Sequence, residues 1–149
     1  MEILKLATLS INGLTSQART AVLDAFVHLH NFDVLLLHEV THPLPTVING
    51  YNIYYNIGTK KRGTAILSRD AIPLINISKL PSGRAIAASL GTLSIINIYA
   101  LSGTAKRTER ETFFNNELPY LLRSVSDELI LGGDFHCVLE AVTETSVAP

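Results

Sequence analysis

The sequence predicts an α/β domain built on mixed β-sheet, and three observations carry that prediction. The opening reads strand, helix, strand. The middle is a run of short apolar segments separated by Gly- and Pro-containing turns. A second amphipathic segment follows, and then one more apolar run that ends at Gly132-Gly133. Strands separated by helical stretches give parallel pairs, and strands separated by tight turns give antiparallel ones.

Taken in order, residues 3–11 alternate enough to form a first strand, and Asn12-Gly13 breaks it. Thr15 or Ser16 can cap the helix that follows. Ala18, Val22, Ala25, Phe26 and Leu29 recur at helical spacing and mark its expected buried face, and Asn31 closes it. Residues 34–37 are short and continuously apolar, as in a strand covered on both faces. The crossover between these parallel strands is right-handed. Pro43 and Pro45 mark a loop. Strands are expected at residues 51–55, 64–67, 72–77, 85–90 and 93–99, with Gly91-Thr92 as a tight hairpin. A second helix starts after Thr104, presents Phe113, Phe114, Leu118, Leu121, Leu122 and Val125, and breaks or kinks at Pro119. Residues 129–131 return as a buried strand, and the periodicity fades after Leu139.

Composition bounds the function. The chain has 149 residues, 47% of them hydrophobic and 17% charged, which excludes intrinsic disorder. A formal net charge of -1 excludes a global positive field for nucleic acid, so such binding rests on local clusters. Cys137 is the one cysteine, so neither an internal disulfide nor a paired-cysteine zinc site can form. No apolar run approaches the ~20 residues that span a bilayer, and the N-terminus carries no targeting signal.

Ligands of open α/β sheets gather beyond the carboxyl ends of the strands. The polar residues at those ends are Asn12, Glu39, Tyr99, Asp134 and His136. Such oxygen donors suit Mg²⁺, which takes one or two carboxylates and keeps its other positions for water and phosphate. Two basic groups stand nearby in sequence: Lys60, Lys61 and Arg62 in a glycine-bounded turn, and Lys106, Arg107 and Arg110 opening the second helix. Together they offer a surface for a phosphate backbone. His28, His30 and His42 are read as having no functional role.

Six stretches, in this order, resemble the endonuclease/exonuclease/phosphatase superfamily with its DNase I-like fold. They are Ser10-Ile-Asn-Gly-Leu14, Leu36-Leu-His-Glu-Val40, Gly63-Thr-Ala-Ile-Leu-Ser-Arg69, Asn97-Ile-Tyr-Ala100, Arg110-Glu-Thr-Phe-Phe114 and Leu131-Gly-Gly-Asp-Phe-His-Cys-Val-Leu139. The nearest likeness is to the apurinic-endonuclease-like domain of non-LTR (LINE-type) retrotransposon polyproteins. The resemblance implies a four-layer α/β/β/α sandwich over residues 1–139, with a second sheet only partly present, and an unstructured or divergent tail over residues 140–149. It implies hydrolysis of a phosphodiester, nicking DNA to leave a 3′-hydroxyl. Phosphatase activity within the same superfamily and a non-catalytic nucleic-acid-binding remnant are the alternatives.

By the same resemblance, Glu39 is the principal ligand of Mg²⁺ or Mn²⁺ and Asp134 orients the attacking water beside that metal. Asn12 orders the metal shell, and Tyr99 contacts the phosphate. DNA and the reverse transcriptase portion of a parent polyprotein are the implied partners, no membrane is involved, and an intracellular, nuclear location follows. Three departures stand out. His38 replaces a family Gln, His136 replaces a family Asn, and nothing after Leu139 supplies the family's closing Asp-His pair. The chain is therefore expected to be a truncated copy with impaired catalysis. An uncovered face on the strand bearing Ile95, an open edge at residues 129–131 and self-association are expected to follow.

Overall fold

A computed structural model describes residues 3–59, 62–100, 106–125 and 128–135. Among the described residues, eight strands form two four-stranded sheets. The first contains β1 (Leu6–Ser10), β2 (Val34–His38), β3 (Tyr51–Ile57) and β4 (Gly63–Arg69) in the order β1-β2-β4-β3. The second contains β5 (Ile75–Lys79), β6 (Ala85–Leu90), β7 (Leu93–Tyr99) and β8 (Glu128–Asp134) in sequence order. One parallel pair stands in each sheet, β1 with β2 and β7 with β8, and every other pairing is antiparallel.

The sheets pack face to face. Val34, Leu36 and Ile66 of the first meet Ile86, Ala88 and Ile95 of the second in one buried cluster. Helix α1 (Gln17–His30) covers the outer face of the first sheet, where Leu23 and Val27 join Leu35, Leu37, Ala65 and Leu67. A helical layer covers the outer face of the second, where Phe113, Leu118 and Leu121 join Ala87, Ile96 and Ile98. The architecture is thus α/β/β/α, as the family resemblance implies. Both faces of β7 are covered, so the expected uncovered face is corrected: Ile95 packs on the first sheet while Ile96 and Ile98 pack on the helices. Among the described residues β8 is the last strand of its sheet, and Leu129 and Leu131 are exposed, so the expectation of a buried strand at residues 129–131 is corrected.

Several local expectations change. The caps of α1 are as read, with Ser16 accepting from the Arg19 amide and Asn31 left-handed. Its buried face is different. Thr20, Leu23 and Val27 point inward, while Val22 and Leu29 are 69% and 79% exposed. Thr20 tolerates burial because its hydroxyl donates to the Ser16 carbonyl. The helix carries two apolar stripes at the same spacing, and periodicity alone cannot choose between them. Strand β5 begins at Ile75 rather than residue 72, since Pro73 lacks a ladder donor. A register shift at Asn76, which has φ +53°, then bends it.

The second helical layer runs as α2 (Arg107–Thr112), a π-helical turn (Phe113–Glu117) and α3 (Leu118–Leu122). The Leu118 amide donates to the Phe113 carbonyl, five residues back. Pro119 then falls in the first turn of α3, where its missing N–H is harmless. The expected break at Pro119 is therefore a widened turn. Thr104, the expected helix start, lies outside the described residues, as does the tail at residues 140–149. Among the described residues no helix is long and apolar enough to cross a membrane.

Candidate active site

The carboxyl ends of both parallel pairs meet on one rim. Ser10 is the register partner of His38, and Tyr99 that of Asp134. One residue stitches the two sheets together just below. Asn97 is fully buried, and its amide nitrogen donates to the carbonyls of Leu37 and Ala65, each at 2.8 Å. Above that stitch the His38 and Tyr99 rings stack across the sheets, 6.3 Å apart and 13° from parallel. His38 is therefore a packing support for Tyr99 and is 4% exposed.

Glu39 leaves β2 in a left-handed conformation, φ +59°. That turn swings its side chain off the ladder, where the Ser10 hydroxyl donates to its carboxylate. The Gly13 amide donates to the Glu39 carbonyl at 2.8 Å, which pins the Asn12-Gly13 turn against this corner. Asn12 is itself left-handed, φ +48°, and exposed. Asp134 is the last residue of β8 and half-buried, and its carbonyl accepts from the Ala100 amide at 2.8 Å. Glycines 132 and 133 do not end this strand, contrary to expectation. They let it pass closely: a Cβ at Gly132 would stand 2.8 Å from Leu36 Cδ1, and Gly133 holds φ +122° against the β7 backbone.

Electrostatics ties these residues together. The Tyr99 phenol is pushed above its ordinary pKa first by burial and then by the Glu39 and Asp134 carboxylates, while Arg62 and Arg84 oppose the rise. Both carboxylates therefore act on one phenol. Tyr99 stays protonated and able to donate through the physiological range. Among the described residues no group of three or more His, Cys, Asp and Glu side chains comes together. A metal here would rest on the two carboxylates, with Asn12 as a neutral oxygen donor. That hard-oxygen set fits Mg²⁺ or Mn²⁺.

The basic residues divide. Arg62 is exposed and reaches the rim. Lys106 pairs with Glu109 at 3.7 Å and Arg107 with Glu111 at 3.0 Å, both along their own helix. Arg110 is half-buried on that helix. Lys60, Lys61 and His136 lie outside the described residues. Arg84 was not legible as a site residue. It precedes β6 inside Ser82-Gly83-Arg84, is 9% exposed, and stands 6.0 Å from the Tyr99 ring centroid. A Gly-Arg pair in a turn is too common to signal that position.

Solved structures share this arrangement of layers. A D. rerio TDP2 humanized by 14 mutations superposes with a TM-score of 0.68 at 16% identity, over 98% of this chain and 67% of that one. An AP endonuclease from Archaeoglobus fulgidus gives 0.68 at 17% identity, over 94% of this chain and 60% of that one. The 3′ phosphatase NExo from Neisseria, bound to a product DNA hairpin, gives 0.72 at 19% identity, over 93% and 60%. The chain has a DNase I-like fold. It spans about half to two thirds of the length of the solved structures it matches. No family model matches the sequence, and no curated protein matches it.

Proposed function

We propose that this DNase I-like chain is a divalent-metal-dependent phosphodiesterase acting on DNA, of the endonuclease kind found in non-LTR retrotransposons. One observation carries the reading: Glu39 and Asp134 act on a single phenol, Tyr99, where the parallel strand pairs of two sheets end together. The order of the six sequence motifs supports the retrotransposon branch, and the AP endonuclease and DNA-bound NExo structures support DNA as substrate. A bound Mg²⁺ would stabilise the charge that develops on the phosphate and lower the pKa of its water.

The residues divide the remaining work. Glu39, held by Ser10, and Asn12 hold the ion. Tyr99 donates its phenol hydrogen to a non-bridging phosphate oxygen. Asp134 orients the attacking water and accepts its proton as the new O–P bond forms. The bond from phosphorus to the 3′ oxygen breaks, and that oxygen takes up a proton. The 3′-hydroxyl so formed could prime a reverse transcriptase in the parent polyprotein.

The test is nicking of supercoiled plasmid in Mg²⁺ beside Glu39→Gln from the same preparation. Slow, Mg²⁺-dependent nicking that Glu39→Gln abolishes supports the reading. Nicking that survives Glu39→Gln refutes the site. Release of a terminal phosphate with no nicking favours the phosphatase reading, which the likeness to NExo supports. Plasmid binding with neither reaction leaves the non-catalytic remnant.

A further inference from the structure

A groove of about 490 Å³ lies between β5 and α3, on the outer side of the second sheet. Among the described residues β5 is the edge strand opposite β8, so the groove stands apart from the rim that carries Glu39 and Asp134. Leu80 and Leu121, both buried, form its floor. Lys79, Tyr120 and Arg123, all exposed, stand around it. Its volume falls within the roughly 300–1,000 Å³ of sites that hold small organic groups.

The π-helical turn sets the position of Tyr120. In an uninterrupted helix the face that carries Phe113 returns seven residues on, at Tyr120. The extra residue taken up in the turn at Phe113–Glu117 moves that face on to Leu118 and Leu121, which are buried with Phe113. Tyr120 is thereby turned outward and is 67% exposed. Such turns are frequent at functional sites. The charges point the same way. Lys79 and Arg123 form no ion pair among the described residues, whereas Arg69, Lys106 and Arg107 each form one. No carboxylate lines the groove, and the Ser78 hydroxyl can donate into it. Two unpaired cations and a hydroxyl beside an aromatic face match a nucleotide, whose base stacks while its phosphodiester meets the cations. A duplex keeps its bases stacked on one another, so only an unpaired nucleotide offers that face.

We propose that this groove holds one nucleotide of an unpaired strand, its base stacked on Tyr120 and its phosphodiester set between Lys79 and Arg123. The inference rests on the DNA reading for its context, but its test does not need catalysis. Fluorescence anisotropy of a fluorescein-labelled oligothymidylate of about ten nucleotides is followed in EDTA for the unmodified chain, Tyr120→Ala, Tyr120→Phe, Lys79→Gln and Arg123→Gln. Tyr120→Ala weakens binding about tenfold, as loss of one stacked base does, and leaves the slope of log K against log salt unchanged. Tyr120→Phe keeps the ring and binds like the unmodified chain. Lys79→Gln and Arg123→Gln each lower the salt slope by about 0.7. Binding of a blunt duplex is the same in Tyr120→Ala as in the unmodified chain.

All three side chains are exposed, so these variants fold. An unmodified chain that does not bind oligothymidylate at low salt overturns the proposal. So does unchanged affinity in Tyr120→Ala, or a Tyr120→Phe chain as weak as Tyr120→Ala. Displacement of the oligothymidylate by an oligoglutamate peptide at equal concentration also overturns it, and would assign the groove to an acidic protein segment. Glu39→Gln binds oligothymidylate like the unmodified chain, so a failure of the catalytic reading shows in the nicking assay and a failure of the groove shows here.

Discussion

Replacing Asn97 by Asp keeps the side-chain shape and removes both of its donors. Asn97 is fully buried between the sheets, and its two 2.8 Å bonds reach the carbonyls of Leu37 and Ala65. An aspartate there would face two acceptors with a third. Each lost hydrogen bond costs about 1 kcal/mol, and an uncompensated buried charge brings the total to about 3–5 kcal/mol. Asn97→Ala loses the same bonds and leaves a small void without any charge, so it costs about 2–3 kcal/mol. Burial raises the folded-state pKa of the new carboxyl above its unfolded value of about 3.9. The unfolded chain then binds fewer protons between those two values, so stability falls as pH rises through that window. Urea denaturation followed by far-UV circular dichroism at pH 7 and pH 5 reads both effects. Asn97→Asp is expected to be the less stable variant at pH 7 and to recover partly at pH 5. An Asn97→Asp chain within ~0.5 kcal/mol of the unmodified one at pH 7 would refute the inter-sheet stitch.

Three further outcomes follow from the packing and the charges. Gly133→Ala should cost at least ~2 kcal/mol in the same denaturation, because its φ of +122° is strained for alanine and its Cβ would meet the Ile98 backbone. Leu23→Ala should cost about 2–5 kcal/mol and Val22→Gln less than about 0.5 kcal/mol, and the reverse order would restore the helix face expected from sequence. The two ring nitrogens of His28 face the carbonyls of Asp24 and Asn49, which can only accept, so the protonated ring that donates to both is favoured and its pKa is raised. Its contribution to stability is complete below the unfolded value of about 6.5 and is lost as pH rises through the higher folded value. An NMR titration with a midpoint at or below 6.5 would contradict this.

How much was legible in the sequence depends on how local the determining forces are. Strands β6 and β7 fall where alternation and the Gly91-Thr92 turn put them, since both signals act within a few residues. The strand-end rule placed Glu39, Tyr99 and Asp134 at the carboxyl ends of β2, β7 and β8, which is where they stand, because it needs only the local end of each apolar run. The buried face of α1 was misread because Val22 and Leu23 begin two stripes of equal period, and only the sheet beneath selects one. Gly132 and Gly133 read as a strand end, yet their role is to let β8 lie against Leu36 and Ile98, contacts made by distant residues. Arg84 gave no signal, because its burial comes from elements on both sides of the chain. The part played by Asn97 was hidden for the same reason, since its partners lie 60 and 32 residues away.

Paramagnetic broadening by Mn²⁺ in a ¹⁵N-labelled chain tests the rim most directly. If Glu39 and Asp134 share one ion beside Tyr99, substoichiometric Mn²⁺ should broaden the amides of Glu39, Tyr99 and Asp134 first. Those of Tyr51 and Ile75, on strands at the opposite ends of the two sheets, should stay sharp. Glu39→Gln should abolish the effect. Broadening that survives Glu39→Gln, or that centres on Glu109 and Glu117 instead, would contradict a metal site at the strand ends.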